Sequence, residues 1–110
     1  MKLFTAAQYS KLLDNGTPEN RDKDHNPVVK LFTPDGACTW LISEIEHLDT
    51  AFGLCDLGLG FPELGNVSIS ELESIRGRLG LPVERDLHFA PVKTLSAYAD
   101  EAFANAFIKA

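Results

Sequence analysis

Short β-branched and aromatic runs, separated by turn residues, fill the first half of the chain. We predict strands in three of these runs: Val28–Phe32, 37–45 and 51–57. The turn between the first two contains Pro34, which presets φ, and Gly36, which accepts a positive φ. Trp40 lies in the middle of the second run and is expected in the core. The pattern therefore predicts three consecutive strands of an antiparallel meander.

Polar and apolar positions at the start of the chain follow a helical period. Thr5 and Gln8 are spaced as a capping box, in which the hydroxyl group accepts an orphan N–H and the amide side chain reaches back. The pattern predicts a first helix over residues 6–14 with a left-handed stop at Gly16. The polar, proline-bounded segment Thr17 to Pro27 is predicted to be an exposed loop.

A second capping box is predicted where Ser70 is followed three positions later by Glu73. We expect a helix from here to about Arg78, with Arg76 also in its last turn, where positive charge complements the helix dipole. A glycine-rich loop and a short extended piece at residues 66–69 are predicted before this helix.

The apolar residues after Thr94 lie on one arc of a helical wheel, which predicts an amphipathic helix that covers the sheet. The arc consists of Leu95, Tyr98, Ala99, Ala102, Phe103 and Ala106. Residues 87–89 fit an edge strand or a loop, and the loop is favoured. The expected fold class is α+β, a three- to four-stranded antiparallel meander covered by N-terminal, middle and C-terminal helices. A chain of 110 residues closes one core, so we predict a single domain over 1–110.

Composition indicates a folded protein without a membrane span. Apolar residues make up 45% and charged residues 24% of the chain, which is ordinary for a globular protein. No apolar run reaches the length that crosses a bilayer, and the one at the start is too short for a secretory signal. Cys38 and Cys55 are expected to be reduced, buried thiols without a disulfide. We therefore expect a cytoplasmic location.

Charge is distributed unevenly along the chain. The formal net charge is −6, and no Lys or Arg occurs from Leu31 to Ile75. That window contains Asp35, Glu44, Glu46, Asp49, Asp56, Glu63, Glu71 and Glu73. We expect one strongly negative face, with Glu44 and Asp56 pointing to the open side or to the ends of the strands. Such a field disfavours direct nucleic-acid binding and favours a protein partner with a basic surface.

Motifs for catalysis, cofactors or metals are missing from the sequence. The Gly58-Leu59-Gly60 element lacks the lysine of a phosphate loop, so we read it as a turn. The three histidines, at positions 25, 47 and 88, do not have the spacing of a zinc site. We expect no cofactor and no metal. The densest polar group consists of Glu84, Arg85, Asp86 and His88. It fits either an acid, a base and an anion clamp, or ion pairs that tie a loop to the sheet.

Several blocks of the sequence resemble a small bacterial family of unknown function. They are residues 28–35, 39–41, 49–58, 60–65, 70–72 and 81–89. The resemblance covers most of the chain and implies a genetic context of conjugative plasmids, integrative elements and related mobile DNA. It implies no activity and assigns no catalytic residue.

Our leading hypothesis is a small acidic accessory protein of a mobile genetic element that binds a protein partner. A partner surface that normally holds DNA would make it a competitor of DNA, as an inhibitor of a DNA-directed defence would be. The candidate binding residues are Glu44, Asp49, Asp56, Glu63, Arg85, Asp86 and His88. We expect a monomer or a weak dimer, the latter through an open edge strand.

Two alternatives stay open at this point. The first is a small hydrolase or nucleotide-modifying enzyme, which requires Asp56, Glu63, Arg85 and His88 to converge in one pocket. The second is a nucleic-acid binder, which requires its basic residues to gather on one face. Those residues are Lys2, Lys11, Arg76, Arg78 and Arg85.

Overall fold

A computed structural model describes residues 2–110 and contains one five-stranded sheet and three helices. In chain order the elements are α1 (Ala6–Asn15), β1 (Val29–Phe32), β2 (Thr39–His47), β3 (Thr50–Asp56), β4 (Glu63–Ser68), α2 (Ile69–Ser74), β5 (Glu84–Arg85) and α3 (Leu95–Asn105). The strand order is β4-β3-β2-β1-β5, and every neighbouring pair is antiparallel. The predicted α+β class is confirmed. Compared with the predicted three- to four-stranded meander, the sheet has a full fourth strand and an additional fifth strand of two residues.

The sheet is covered on both faces, and each face has its own apolar core. Leu12 of α1 and Leu72 of α2 pack with Trp40 on one face. Leu95 of α3 packs with Leu41 on the other. Successive strand side chains point to opposite faces, which sends the neighbours Trp40 and Leu41 into different cores. The expectation that Trp40 is a core residue is confirmed, since its exposed fraction is 3%.

A β-bulge at Ser43 interrupts the alternation along β2. Ile42 pairs with Gly53, whereas Glu44 pairs with Phe52, so Ser43 is the extra residue. Without the bulge, Glu44 would share the face of Ile42. The bulge turns it instead to the face that α3 covers.

The start of α1 is confirmed, but its end differs from the prediction. The Thr5 hydroxyl accepts the Gln8 N–H at 3.1 Å, and the Gln8 side chain accepts the Thr5 N–H at 2.9 Å. Gly16 has φ −91°, so the predicted left-handed stop is wrong. A Cβ at Gly16 would clash with the carbonyl oxygen of Ile45. Glycine here allows α1 to end in close contact with β2.

The start predicted for α2 at Ser70 is wrong by two residues. Ser68 is the N-cap, and its hydroxyl accepts the Glu71 N–H at 3.2 Å. Asp49, in the turn between β2 and β3, accepts the Ser70 N–H at 2.8 Å and the Ser68 hydroxyl at 2.5 Å. A contact distant in sequence therefore fixes where α2 begins.

The predicted end of α2 near Arg78 is also wrong. The helix ends at Ser74, and Arg76 pairs with Pro82 in an isolated β-bridge. The Asp35 carboxylate then accepts the Leu79 N–H at 2.6 Å and holds the following turn. Arg76 and Arg78 consequently lie outside the helix.

The remaining segments largely follow the predictions. Thr94 caps α3, and Leu95, Tyr98, Ala99 and Ala102 are buried as expected. The buried positions predicted for Phe103 and Ala106 are wrong, because Phe103 is half exposed and Ala106 follows the helix with φ 66°. Residues 87–89 form no strand, as predicted.

The segment between α1 and β1 has neither helix nor strand, as predicted, but it docks on α3. The His25 carbonyl accepts the Leu95 N–H at 2.8 Å, and Asp24 accepts the Ser96 N–H at 3.2 Å. Cys38 and Cys55 are free and partly buried. Among residues 2–110, no helix has the length and apolar character needed to cross a membrane.

Candidate functional site

A groove of about 340 Å³ lies between β4 and α2. Its apolar lining includes Trp40, Val67, Leu72 and Ile75, together with Cys55, Leu57 and Leu64. The charged residues that line it are Glu63 and Glu71, both exposed carboxylates. The groove therefore combines an apolar floor with a rim of one charge sign.

Gly65 lines this groove without a side chain of its own. It pairs with Gly53 of β3, so two adjacent positions on this face carry no side chain. A Cβ at Gly65 would meet nothing within 4 Å, and the φ of Gly65 is not positive. Neither the backbone conformation nor the packing requires glycine at this position. Glycine within a strand often marks the approach of a ligand or of another backbone, which is the signal that sequence reasoning missed.

We define the β4–α2 acidic surface as Asp49, Glu63, Glu71 and Glu73, which are all exposed. Glu63 and Glu71 line the groove, whereas Asp49 and Glu73 line a neighbouring cleft that Lys2 also lines. Within residues 2–110 the side-chain ion pairs are Lys30–Asp86 and Lys93–Glu101, so none of these four carboxylates is paired there. Hydroxyl groups of Ser68 and Ser70 lower the pKa of Asp49 from 3.8. Arg76 is close in sequence, but its guanidinium donates to the carbonyls of Glu73 and Ile75.

The loop between β3 and β4 adds exposed apolar side chains beside the groove. Leu59 is 73% exposed and Phe61 is 79% exposed, while Leu57 reaches the groove itself. Gly58 and Gly60 have φ values of 78° and 87°, which a side chain would strain. The positive-φ glycines shape this loop, in which Leu59 and Phe61 stay exposed to solvent.

Glu44 lies on the other face of the sheet and is buried, so the expectation that it points to solvent is wrong. Its exposed fraction is 3%, and its Oε2 atom has no hydrogen-bond partner within the described chain. Burial, followed by the charges of Glu46 and Asp22, raises the pKa of Glu44 to about 7. It lines a cavity of about 240 Å³ that Arg21 and Lys23 also line. The sequence from Leu31 to Ile75 contains no Lys or Arg, but Arg21 and Lys23 from another segment lie on this face of the sheet.

Asp56 is also buried, so it does not belong to an exposed acidic face. Its carboxylate accepts the Gly58 N–H at 2.8 Å and the Ile108 N–H at 3.0 Å. These two bonds join the end of β3 to the following loop and to the segment after α3. Its role in this structure is to hold backbone together.

Arg85, Asp86 and His88 lie at the edge of the sheet opposite to β4. Arg85 donates to the carbonyl of Lys2 at 2.8 Å, and Asp86 pairs with Lys30 at 3.5 Å. Asp86 also accepts the backbone N–H of His88 at 2.8 Å. These contacts hold separate segments of the chain together.

The four residues of the hydrolase hypothesis do not converge. Glu63 is on β4 and Arg85 on β5, which are opposite edges of a five-stranded sheet. Asp56 is enclosed by backbone donors, and His88 follows β5.

The basic residues of the nucleic-acid hypothesis do not come from one element. Lys2 and Arg85 lie together, whereas Lys11 is on α1 and Arg76 and Arg78 follow α2.

No group of three or more His, Cys, Asp or Glu side chains in residues 2–110 is arranged to hold a metal ion. Burial, followed by the charge of Glu63, raises the pKa of Cys55 to about 11. Its thiol is therefore protonated near neutral pH and is a poor nucleophile. What the β4–α2 groove offers is a binding surface, with apolar contacts and negative charge.

The comparison with protein families gives a match over residues 3–109. It is described as a protein of unknown function, DUF2958. The chain belongs to the DUF2958 family. This bears out the resemblance to a family of unknown function, while the association with mobile DNA stays a prediction. Comparison with curated proteins and with solved structures gives no match.

Proposed function

We propose that this protein acts by binding a protein partner that presents basic side chains, and that the partner docks on the β4–α2 acidic surface. The observation that carries the proposal is the groove, whose floor is apolar and whose charged rim is entirely acidic. The loop that follows Leu57, a residue of the groove, also exposes Leu59 and Phe61. Such an interface gains affinity from apolar burial and aromatic contacts.

The unpaired carboxylates give the surface its selectivity. Complementary charge steers the encounter of two proteins and speeds association, and it disfavours acidic partners. Asp49 is ionised at neutral pH, as an aspartate with the ordinary pKa of 3.8 would be, and the Ser68 and Ser70 hydroxyl groups lower its pKa further. Nucleic acid is repelled by the same charges, so the partner we propose is a protein.

A partner whose basic surface also holds DNA is the specific class that we propose. The acidic surface would then occupy the positions that phosphates occupy, and binding of this protein and of DNA would exclude each other. An inhibitor of a DNA-directed defence on a mobile element would work in this way. Competition between DNA and this protein for the purified partner tests that class directly.

The test compares two double charge reversals in pull-downs from a bacterial lysate treated with nuclease. Glu63→Lys with Glu71→Lys changes the rim of the groove. Glu19→Lys with Asp100→Lys makes the same change in net charge at exposed positions on other segments. We expect a protein that binds wild type and the control variant, but not the rim variant, and that high ionic strength releases.

Two outcomes contradict the proposal. One is a partner retained equally by the rim and control variants, which would place the interface elsewhere. The other is retention that is unchanged between low and high ionic strength, since charge complementarity at an exposed rim is screened by salt.

A further inference from the structure

We propose that the partner contributes an extended segment that adds to β4 as a sixth strand, with a side chain of that segment entering the groove over Gly65. This inference rests on the proposed function and specifies how the partner is held. Strand addition combines backbone hydrogen bonds, which provide affinity, with pockets for alternate side chains, which provide specificity.

The two edges of the sheet differ in a way that leaves β4 available. The edge formed by β5 is two residues long, and short edge strands are one means of preventing intermolecular pairing. The edge formed by β4 is six residues long and pairs with β3 without a register shift. It contains neither Lys nor Pro, the residues that commonly block an edge. The β5 edge is therefore poorly suited to pairing with another chain, whereas the β4 edge is available for it.

The register identifies the backbone groups that point away from β3. The Ile69 N–H donates to the Asp49 carbonyl at 2.9 Å, next to the pair Thr50 and Ser68. Hydrogen-bonded and non-hydrogen-bonded pairs alternate in an antiparallel ladder, so residues 63, 65 and 67 bond to β3. The N–H and C=O groups of Leu64 and Asn66 therefore face outward, and both residues are exposed.

The positions that alternate with these two face the groove. Glu63, Gly65 and Val67 pair with β3 residues that lie on the Trp40 side of the sheet. Because Gly65 carries no side chain, a neighbouring strand can pass its own side chain across this position towards Leu72 and Ile75. The space that a Cβ at Gly65 would enter is the space we assign to the partner.

Charge determines the kind of segment that fits. The charged side chains lining the groove are Glu63 and Glu71, so a Lys or Arg in the incoming strand finds a carboxylate on either side of the apolar floor. We therefore expect an extended segment in which an apolar residue lies near basic ones. A second copy of this chain fits less well, because its own β4 carries Glu63 and no base.

The test uses a random peptide library displayed on phage, selected against the full-length protein. The best peptide is then synthesised and its affinity measured for wild type and for a matched pair of variants. Asn66→Pro removes the outward N–H without removing a bond to β3, whereas Asn66→Ala keeps it. We expect the proline variant to weaken binding by about tenfold or more, and the alanine variant by less than about threefold.

A second variant and a second measurement keep the proposal independent of one substitution. Gly65→Val places a side chain in the groove, where its Cβ meets no atom within 4 Å, so the variant is expected to fold and to lose peptide binding. Amide hydrogen exchange should show that Leu64 and Asn66 exchange fast in the free protein and slowly in the complex. Thermal unfolding of each variant establishes that it is folded.

The outcomes separate this inference from the proposed function. Salt-sensitive peptide binding that Glu63→Lys with Glu71→Lys removes, but that Asn66→Pro and Gly65→Val leave intact, overturns strand addition and keeps the acidic surface. Binding that none of these variants changes overturns both. Protection of Leu64 and Asn66 in the protein alone, rising with its concentration, shows that a second copy occupies the edge and overturns the assignment to a partner.

Discussion

The buried Glu44 predicts that the folded protein loses stability as pH rises from about 4.5 to about 7. Burial raises the pKa of this carboxyl from 4.5 to about 7 in the folded state. Between those values the folded protein keeps a proton that the unfolded chain has released. Protonation therefore favours folding there, and the favourable contribution disappears once pH exceeds the folded pKa.

The loss of stability can be calculated from the change in the pKa of Glu44. A pKa that differs by one unit between folded and unfolded states corresponds to about 1.4 kcal/mol, so the change at Glu44 amounts to about 3 kcal/mol. That is a large part of the free energy of unfolding of a small domain, about 5–15 kcal/mol. The residue is 3% exposed and its Oε2 lacks a partner in the described chain, but it also lines the cavity that Arg21 and Lys23 share, so about 3 kcal/mol is an upper value that water in the cavity reduces.

Glu44→Gln isolates the effect, because an amide resembles the protonated carboxyl and does not ionise. We would measure the free energy of unfolding of both proteins by urea denaturation from about pH 5 to about pH 8. Wild type should lose up to about 3 kcal/mol relative to the variant over this range.

The charged neighbours provide an independent check. Glu46 and Asp22 raise the pKa of Glu44, whereas Arg21 lowers it. Glu46→Gln should therefore move the midpoint of the pH dependence to lower pH, and Arg21→Gln should move it to higher pH. Parallel stability curves for wild type and Glu44→Gln across the range would refute the reasoning, since they would mean that Glu44 has the same pKa folded and unfolded.

Three further predictions concern local packing and hydrogen bonds. Gly53→Ala should lower the free energy of unfolding by about 1–3 kcal/mol in denaturation experiments, because its Cβ would clash with the Leu41 carbonyl, whereas Gly65→Ala should be neutral or stabilising. Equal effects at the two glycines would contradict this. Thr5→Ala should cost about 1 kcal/mol through loss of the α1 cap, and Thr5→Ser should restore it. The Asp49 carboxyl should titrate below 3.8 by NMR, because hydroxyl groups at the start of α2 donate to it. Its contribution to stability should then disappear as pH falls through the folded pKa, and titration at or above 3.8 would exclude that effect.

Features set by neighbouring residues were predictable from the sequence. The capping box at Thr5 needs only Gln8, and the turn at Pro34 needs only its own residues, so both appear in the structure near the predicted positions. The positive φ expected at Gly36 is wrong, because its φ lies outside that region. The α3 pattern gave the buried residues from Leu95 to Ala102 for the same reason. Local chemistry decides such elements, and tertiary contacts have little to alter.

Features set by distant contacts were not predictable. The start of α2 depends on Asp49, and the glycine at position 16 is explained by the carbonyl of Ile45. The burial of Glu44 depends on one extra residue at Ser43, and a single-residue shift sends a side chain to the opposite face. None of these leaves a periodic signal in the sequence.

The candidate site shows the same division. Of the candidate binding residues that the acidic window from Leu31 to Ile75 suggested, Glu63 lines the groove. The groove itself required Trp40, Gly65 and Ile75 to come together from three separate segments. Asp56 was assigned to an exposed face although backbone donors enclose it, since its partner Ile108 is far along the chain.

The strand order also bears on the sequence in which the molecule assembles. Strands β1 to β4 are neighbours in the chain as well as in the sheet, so short loops close their ladders at small entropic cost. Pairing of Arg85 with Leu31, and packing of α3, require much longer loops. Loop-closure entropy therefore favours pairing of β1 to β4 before these contacts, and until β5 pairs, β1 is a second unprotected edge. When the two residues of β5 pair with β1, they cover that edge and so limit its association with other chains.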